Sequence, residues 1–206
     1  MRKNNKGKKG FKRWLGKNLT LKKYMKKRKI ILNLAVSLDW YICDENGGFK
    51  WIVGDWDTSL DSKEQIDFFE FIKTIDTIVM WREAYNDCPT ETMDSIFKNK
   101  KKYIVTHSNI ENSWDDVEII NWDIVKQILE VQKQDWKNIY IYGWAKMVDA
   151  FIKADVIDEY IIGIIPTILW KGRTLFLENN PTIKLHLLEK SIKEGVVLLR
   201  YEKRKH

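Results

Sequence analysis

Short apolar runs recur along the chain, separated by stretches in which apolar residues return every three or four positions. Ile30–Val36 reads Ile-Ile-Leu-Asn-Leu-Ala-Val, and Thr77–Met80, Lys102–Thr106, Val117–Ile120, Asn138–Tyr142 and Asp158–Ile165 are of the same kind. Runs of this length, rich in β-branched and aromatic residues, are predicted as buried strands. Ser62 to Ile75 is predicted helical, with Ser62 as cap and Ile66, Phe69 and Ile72 or Lys73 at helical spacing. Asp123–Val131 places Ile124, Ile128 and Val131 on one helical face, and Ala145–Ile152 does so with Met147, Val148, Phe151 and Ile152. Asn46-Gly47-Gly48 is a turn signal. Ile183–Ile192 and Val196–Arg200 are predicted to pair through Lys193-Glu194-Gly195. Strands alternating with helices imply an α/β fold with a mostly parallel sheet covered on both faces, closed here by a C-terminal antiparallel pair.

Charge divides what hydropathy leaves whole. The chain has 206 residues and a net charge of +7. Residues 1–29 hold 14 of its 36 basic side chains and no acidic one; the remainder carries 22 basic against 29 acidic groups, a net of −7. We divide the chain into a basic arm, residues 1–27, and one domain, residues 28–206. The arm reads as a solvated tail or as the product of a start codon placed too early, since Met25 stands just before the first strand. Phe11, Trp14 and Tyr24 among its lysines have a stacking-plus-charge composition, but nothing in the body supports nucleic-acid binding. No apolar stretch suits export or a membrane span; the longest, Tyr160 to Trp170, contains Pro166. Cys43 and Cys88 are read as cytosolic thiols, and the location expected is cytoplasmic. His107, His186 and His206 lack metal-ligand spacing, so no metal is expected.

The strongest chemical unit is Asn138-Ile139-Tyr140-Ile141-Tyr142-Gly143-Trp144-Ala145-Lys146-Met147: a strand, a glycine and a helix. A helix N-terminus after a strand offers free N–H groups and a positive dipole end to a pyrophosphate. Alone, one glycine is a weak signal. It is joined by Ser37-Leu38-Asp39-Trp40-Tyr41-Ile42, by Met80-Trp81-Arg82-Glu83-Ala84-Tyr85, and by Pro166-Thr167-Ile168-Leu169-Trp170-Lys171-Gly172-Arg173-Thr174-Leu175-Phe176. In this order and spacing the segments resemble the dihydrofolate reductase-like family. The branch most like them is the reductase domain of the bifunctional riboflavin-biosynthesis deaminase/reductase. The resemblance covers roughly residues 28–204.

That resemblance implies a three-layer α/β/α sandwich, often a homodimer, and an NADPH-dependent reductase transferring hydride to a small heterocycle. The substrate implied is 5-amino-6-(5-phosphoribosylamino)uracil or dihydrofolate. It places Asp39 near nicotinamide and substrate, as a proton-transfer or substrate-binding group; a turn-capping carboxylate is the equal alternative. Trp40 and Trp51 join Asp39 on the substrate side. Cofactor contacts fall to Ala35, to Trp81, Arg82 and Tyr85, and to Gly143, Trp144, Ala145 and Lys146. Ala84 and Glu83 depart from the family pattern, removing a hydroxyl and adding a negative charge. Thr106, His107 and Ser108 complete the set. An acidic residue at that strand end would repel a 2′-phosphate; none is present, so NADPH is expected over NADH.

Trp40, Trp81, Trp144 and Trp170 all stand at family glycine positions. Trp122 and Trp136 are further candidates, with Trp56 and Trp114 behind them; Trp51 is not one. Three readings compete. The indoles are core residues that happen to end strands; or the protein is a non-catalytic member whose cofactor site is blocked; or glycine codons have been read as tryptophan. The last follows from UGA, one base from the glycine codon GGA, which different genetic codes read as glycine or as tryptophan. Composition agrees: residues 30–206 contain seven glycines, where average usage predicts roughly 12.

Overall fold

The computed structural model describes residues 28–108, 116–134, 137–143 and 145–204. Among the described residues ten strands form: β1 (Ile30–Ser37), β2 (Tyr41–Cys43), β3 (Ile75–Trp81), β4 (Lys101–Val105), β5 (Val117–Ile120), β6 (Asn138–Tyr142), β7 (Glu159–Ile165), β8 (Arg173–Thr174), β9 (Leu185–Lys193) and β10 (Val196–Lys203). Eight of them make one sheet in the order β5-β4-β3-β6-β1-β7-β10-β9, while β2 and β8 form a separate antiparallel pair. From β5 to β7 every pairing is parallel; β10 runs antiparallel to β7 and β9 antiparallel to β10.

Successive side chains on a strand point to opposite faces, and two apolar layers result. Ile30, Leu32, Val79, Ile139 and Ile141 pack on one face with Ile128 and Val131 of α3 (Ile124–Gln132) and Val148, Phe151 and Ile152 of α4 (Ala145–Lys153). Ile31, Ile78, Met80, Tyr140 and Ile161 pack on the other with Phe71 and Ile72 of α1 (Phe68–Lys73), Ala84 and Tyr85 of α2 (Arg82–Asn86), and Met93 of a π-helical turn at Thr92–Ile96. The architecture is therefore the expected three-layer α/β/α sandwich with a mostly parallel sheet.

Opposite the strand ends that carry the site, ionic groups anchor the chain. Arg28 is buried and donates to the Asp76 carboxylate, the Thr77 hydroxyl and the Val131 carbonyl, the last at 3.1 Å. Glu159, fully buried, accepts from Lys29 at 2.7 Å and from Arg200. Burial alone would raise its pKa; the Arg200 and Lys29 hydrogen bonds outweigh that and hold it below the usual carboxylate value.

One predicted helix is corrected. Ser62–Ile75 is not continuous: the helix begins at Phe68, where Asp67 caps it by accepting from Glu70 N at 2.8 Å, and Ile75 already belongs to β3. Residues 62–66 are instead tied to the C-terminal hairpin. Ser62 N donates to Ile192 O and Ile192 N donates to Ser62 Oγ, each at 2.9 Å, and Ile66 N donates to Ser191 Oγ at 3.1 Å. Farther back, Asp55 N donates to Glu194 O at 2.8 Å and Glu194 N to Asp61 Oδ1 at 2.7 Å. This strap is held by long-range pairing that helical periodicity cannot report.

Among the described residues, three tryptophans adopt left-handed backbone: Trp40 (φ 69°), Trp56 (φ 67°) and Trp170 (φ 63°). Trp81 does not, with φ −80° and ψ 155°, and Trp122 also lies outside that region. Trp114, Trp136 and Trp144 fall outside the described residues. A β-carbon in left-handed backbone costs about 1–2 kcal/mol. Trp56 and Trp170 are 74% and 79% exposed, so their rings recover little by burial. Trp56→Gly and Trp170→Gly should each raise unfolding free energy by about 1 kcal/mol in urea melts; a loss of stability would contradict the strain.

Candidate active site

Parallel pairing brings the carboxyl ends of β4, β3 and β6 side by side. Trp81 pairs with Val105, and Met80 with Tyr142, so Thr106, Trp81 and Gly143 are neighbours at one edge. Gly143 has φ +136°, and a Cβ there would lie 3.1 Å from Ala84 Cβ and 3.7 Å from Trp81 N. The backbone conformation therefore favours glycine, and an added Cβ would be tight against Ala84. Ala145 opens α4 two residues later, so a helix N-terminus follows directly on this turn. Asp149, on the same helix, holds Asn180 Nδ2 at 3.0 Å and Lys153 Nζ at 2.7 Å.

The remaining expected cofactor residues are differently placed. Thr106 is buried, and its Oγ1 accepts from Ser108 N at 3.0 Å, turning the chain at the end of β4. His107 and Ser108 are exposed, with the His107 ring 5.2 Å from that of Trp122. Arg82 is half-buried and its guanidinium lies 3.3 Å from Glu83 Oε1, an intramolecular competitor for any anion. Tyr85 is buried in the apolar layer of α1 and α2. Trp144 lies outside the described residues.

A cavity of about 440 Å³ opens on the α1–α2 side of the sheet. Asn33, Ala35, Tyr140, Tyr142, Gly143 and Gly163 line it from the sheet; Phe49, Ile52, Phe68 and Asp87 line it from the other side. Ala35 and Gly143 are thus the expected residues that meet here, whereas Asp39, Trp40 and Trp51 are not in the lining. Asn33, Asp87, Tyr140, Tyr142 and Gly163 were not anticipated. Asn33 and Gly163 had left a mark in the sequence, as interruptions of otherwise apolar strands. Tyr140 Oη donates to Asn33 O at 3.0 Å. Burial pushes the Cys88 thiol up to about 11 and, aided by Cys88 and Asp87, the Tyr142 phenol up to about 12. Both are neutral at physiological pH; among the described residues of the lining, Asp87 is the acidic one.

Asp39 acts as a staple. Ser37 Oγ donates to its Oδ1 at 2.6 Å, Leu169 N to the same oxygen at 3.1 Å, and Trp170 N to Oδ2 at 2.8 Å. The carboxylate thereby joins the turn after β1 to the loop after β7. Trp40 packs against Phe176 with ring centroids 5.9 Å apart, and Trp51 Nε1 donates to Gly48 O at 3.1 Å, closing the turn before it.

A family model for the RibD C-terminal domain matches residues 28–198. The chain belongs to that family. The Bacillus subtilis protein YyaP, of uncharacterised function, is 31% identical over 191 residues, covering 86% of this chain and 96% of its own length. YwjB of the same organism, likewise uncharacterised, is 32% identical over 160 residues, covering 78% and 89%. Among solved structures, a protein of Shewanella sp. PV-4 named for riboflavin biosynthesis superposes with a TM-score of 0.67 at 22% identity, over 86% of this chain and 99% of that one. Dihydrofolate reductase from Enterococcus faecalis, solved with NADP(H), gives 0.57 at 17% identity, over 87% and 98%. At these identities the two structures establish a shared fold. Among the described residues of this RibD C-terminal domain, no group of histidine, cysteine, aspartate and glutamate could hold a metal ion, and no helix is long and apolar enough to cross a membrane.

Two outcomes follow from the geometry. Gly143→Ala should lower stability by about 1–2 kcal/mol through its positive φ, read by chemical denaturation, with a larger loss for Gly143→Val. Partial desolvation raises the Asp39 pKa, but the Ser37, Trp170 and Leu169 hydrogen bonds outweigh it and the net shift is downward. A carboxylate with a depressed folded pKa contributes stability above its unfolded pKa and loses it as pH falls through the folded value. Asp39→Asn should therefore be less stable than the parent at neutral pH, with the gap closing in acid; a pH-independent gap would refute the charged staple.

Proposed function

We propose that this RibD C-terminal domain is an NADPH-dependent reductase acting on a small heterocycle. The observation that carries the reading is the double position of Gly143. It ends β6 beside Trp81 and directly before the N-terminus of α4, whose free N–H groups suit a phosphate, and it also lines the 440 Å³ cavity. A dinucleotide laid along the strand ends would thus meet a ligand in the cavity at that residue. The nicotinamide would supply hydride; the chain positions and shields. The backbone of Gly143 and the first N–H groups of α4 suit the pyrophosphate, and Thr106, His107 and Ser108 suit the 2′-phosphate. In this reading Asp39 is a positioning residue, fixing two loops rather than touching the reacting atoms.

The alternative is a non-catalytic member with its cofactor site filled by indole. Trp81 supports it, being half-buried where the dinucleotide would pass. Against it stand the three left-handed tryptophans, which favour glycine in the native chain at positions 40, 56 and 170. The gene's own codons decide: UGA at these positions restores glycine, and UGG does not. Titrating protein made under the native code with NADPH, followed by tryptophan fluorescence, should show saturable quenching that NADH matches only at higher concentration. Absence of saturation would defeat the reductase reading.

A further inference from the structure

We infer that Glu83, by occupying the guanidinium of Arg82, holds down the protein's preference for a cofactor that bears a 2′-phosphate. The inference rests on the reductase reading and names a residue that sets cofactor selection within it.

Arg82 and Glu83 are the first two residues of α2, directly after β3. Trp81 pairs with Val105, so Arg82 stands level with Thr106 at the end of β4. On the other side Met80 pairs with Tyr142 of β6, and a Cβ on Gly143 would lie 3.1 Å from Ala84 Cβ. The first turn of α2 therefore stands between the two places assigned to the dinucleotide's phosphates. One is the Gly143–α4 turn, which offers backbone N–H groups. The other is Thr106–Ser108, which offers hydroxyls and an imidazole, with Thr106 Oγ1 already accepting from Ser108 N at 3.0 Å. A phosphate monoester is held best by a guanidinium, which grips two of its oxygens at once. Arg82 brings an arginine to that edge.

Its charge is already engaged. Arg82 Nη2 lies 3.3 Å from Glu83 Oε1, with the two side chains 39% and 44% exposed, so solvent screens the pair only in part. The second oxygen, Glu83 Oε2, is buried and has no hydrogen-bond partner. A buried acceptor without a donor is unfavourable, so what holds the carboxylate in place is Arg82. A phosphate dianion arriving at Thr106–Ser108 must displace this carboxylate or bind beside it. Either lowers its affinity, whereas an uncharged ribose 2′-hydroxyl meets no such penalty. The acidic residue missing from the end of β4 is thus supplied by the helix that follows β3, next to it in the sheet.

The experiment measures binding of NADPH and NADH by calorimetry, with adenosine 2′,5′-bisphosphate and 5′-AMP as fragment probes that differ only in the 2′-phosphate. Wild type is compared with Glu83→Gln, Glu83→Ala and the double variant Arg82→Gln/Glu83→Gln. In Glu83→Gln the affinity for NADPH relative to NADH should rise at least about threefold, as release of a partly screened ion pair predicts. The bisphosphate should gain likewise over 5′-AMP. The gain should shrink with added salt and vanish in the double variant. A smaller gain, a gain shared equally by NADH, or one that survives removal of Arg82 overturns the inference. A carboxylate that served only the first turn of α2 would lower the melting temperature on removal and leave the ratio unchanged, which also overturns it. Glu83→Ala carries the same comparison if Glu83→Gln does not fold. Absence of NADPH binding by every protein strikes the reductase reading itself, while the ratio of bisphosphate to 5′-AMP affinity still reports on Glu83.

Discussion

The parallel pairing of β1 with β6 on one side and β7 on the other is the constraint from which the site follows. Parallel neighbours cannot be joined by tight turns, so each connection must cross a face of the sheet. Those crossings are the helices that cover it. The same constraint sends the carboxyl ends of β3, β4, β6, β1 and β7 to one edge, where no strand continues and backbone groups are open to a ligand. The opposite edge is closed by Arg28, Asp76, Lys29, Glu159 and Arg200. Buried ion pairs add little net stability but penalise any arrangement that separates them. Their value here is to fix where each strand begins, and thus where each one ends.

Much of this was legible in the sequence, because continuous apolar strands and amphipathic helices carry their burial in local periodicity. Val117–Ile120 and Asn138–Tyr142 kept their predicted bounds. The strap at residues 54–66 was not legible, since its partners lie about 130 residues away in Ser191–Glu194. Helix α2 has five residues, too short to show a period, and the β2–β8 pair rests on contact between loops distant in sequence. The site divides in the same way. Gly143 announced itself by standing between strand and helix. Asp87 gave no sign, because only tertiary packing turns it toward a cavity.

Tryptophan at a left-handed position is a conflict between levels: a side chain suited to burial on a backbone suited to glycine. Trp56 and Trp170 resolve it by exposing the indole, Trp40 by leaning on Phe176. None of the three gains a buried environment in return. Such conflicts at functional sites are usually offset by ligand or catalytic contacts. Here the backbone has a form that glycine adopts without strain, although Asn99, Asp155 and Glu194 share it elsewhere in the chain.

The strap gives the cavity a property its lining does not show. Phe49 and Ile52 line the cavity, and the chain that follows them is bonded at Asp55, Asp61, Ser62 and Ile66 to the turn and to β9 of the β9–β10 hairpin. Val196 and Leu198 of that hairpin are themselves cavity walls. Roof and wall are therefore one mechanical body. Opening the roof alone would break several hydrogen bonds worth about 0.5–1.5 kcal/mol each, and the hairpin cannot follow it freely, because β10 is paired with β7 from Val197 to Glu202. The roof of the cavity is thereby tied, through the hairpin, to the ladder of the central sheet.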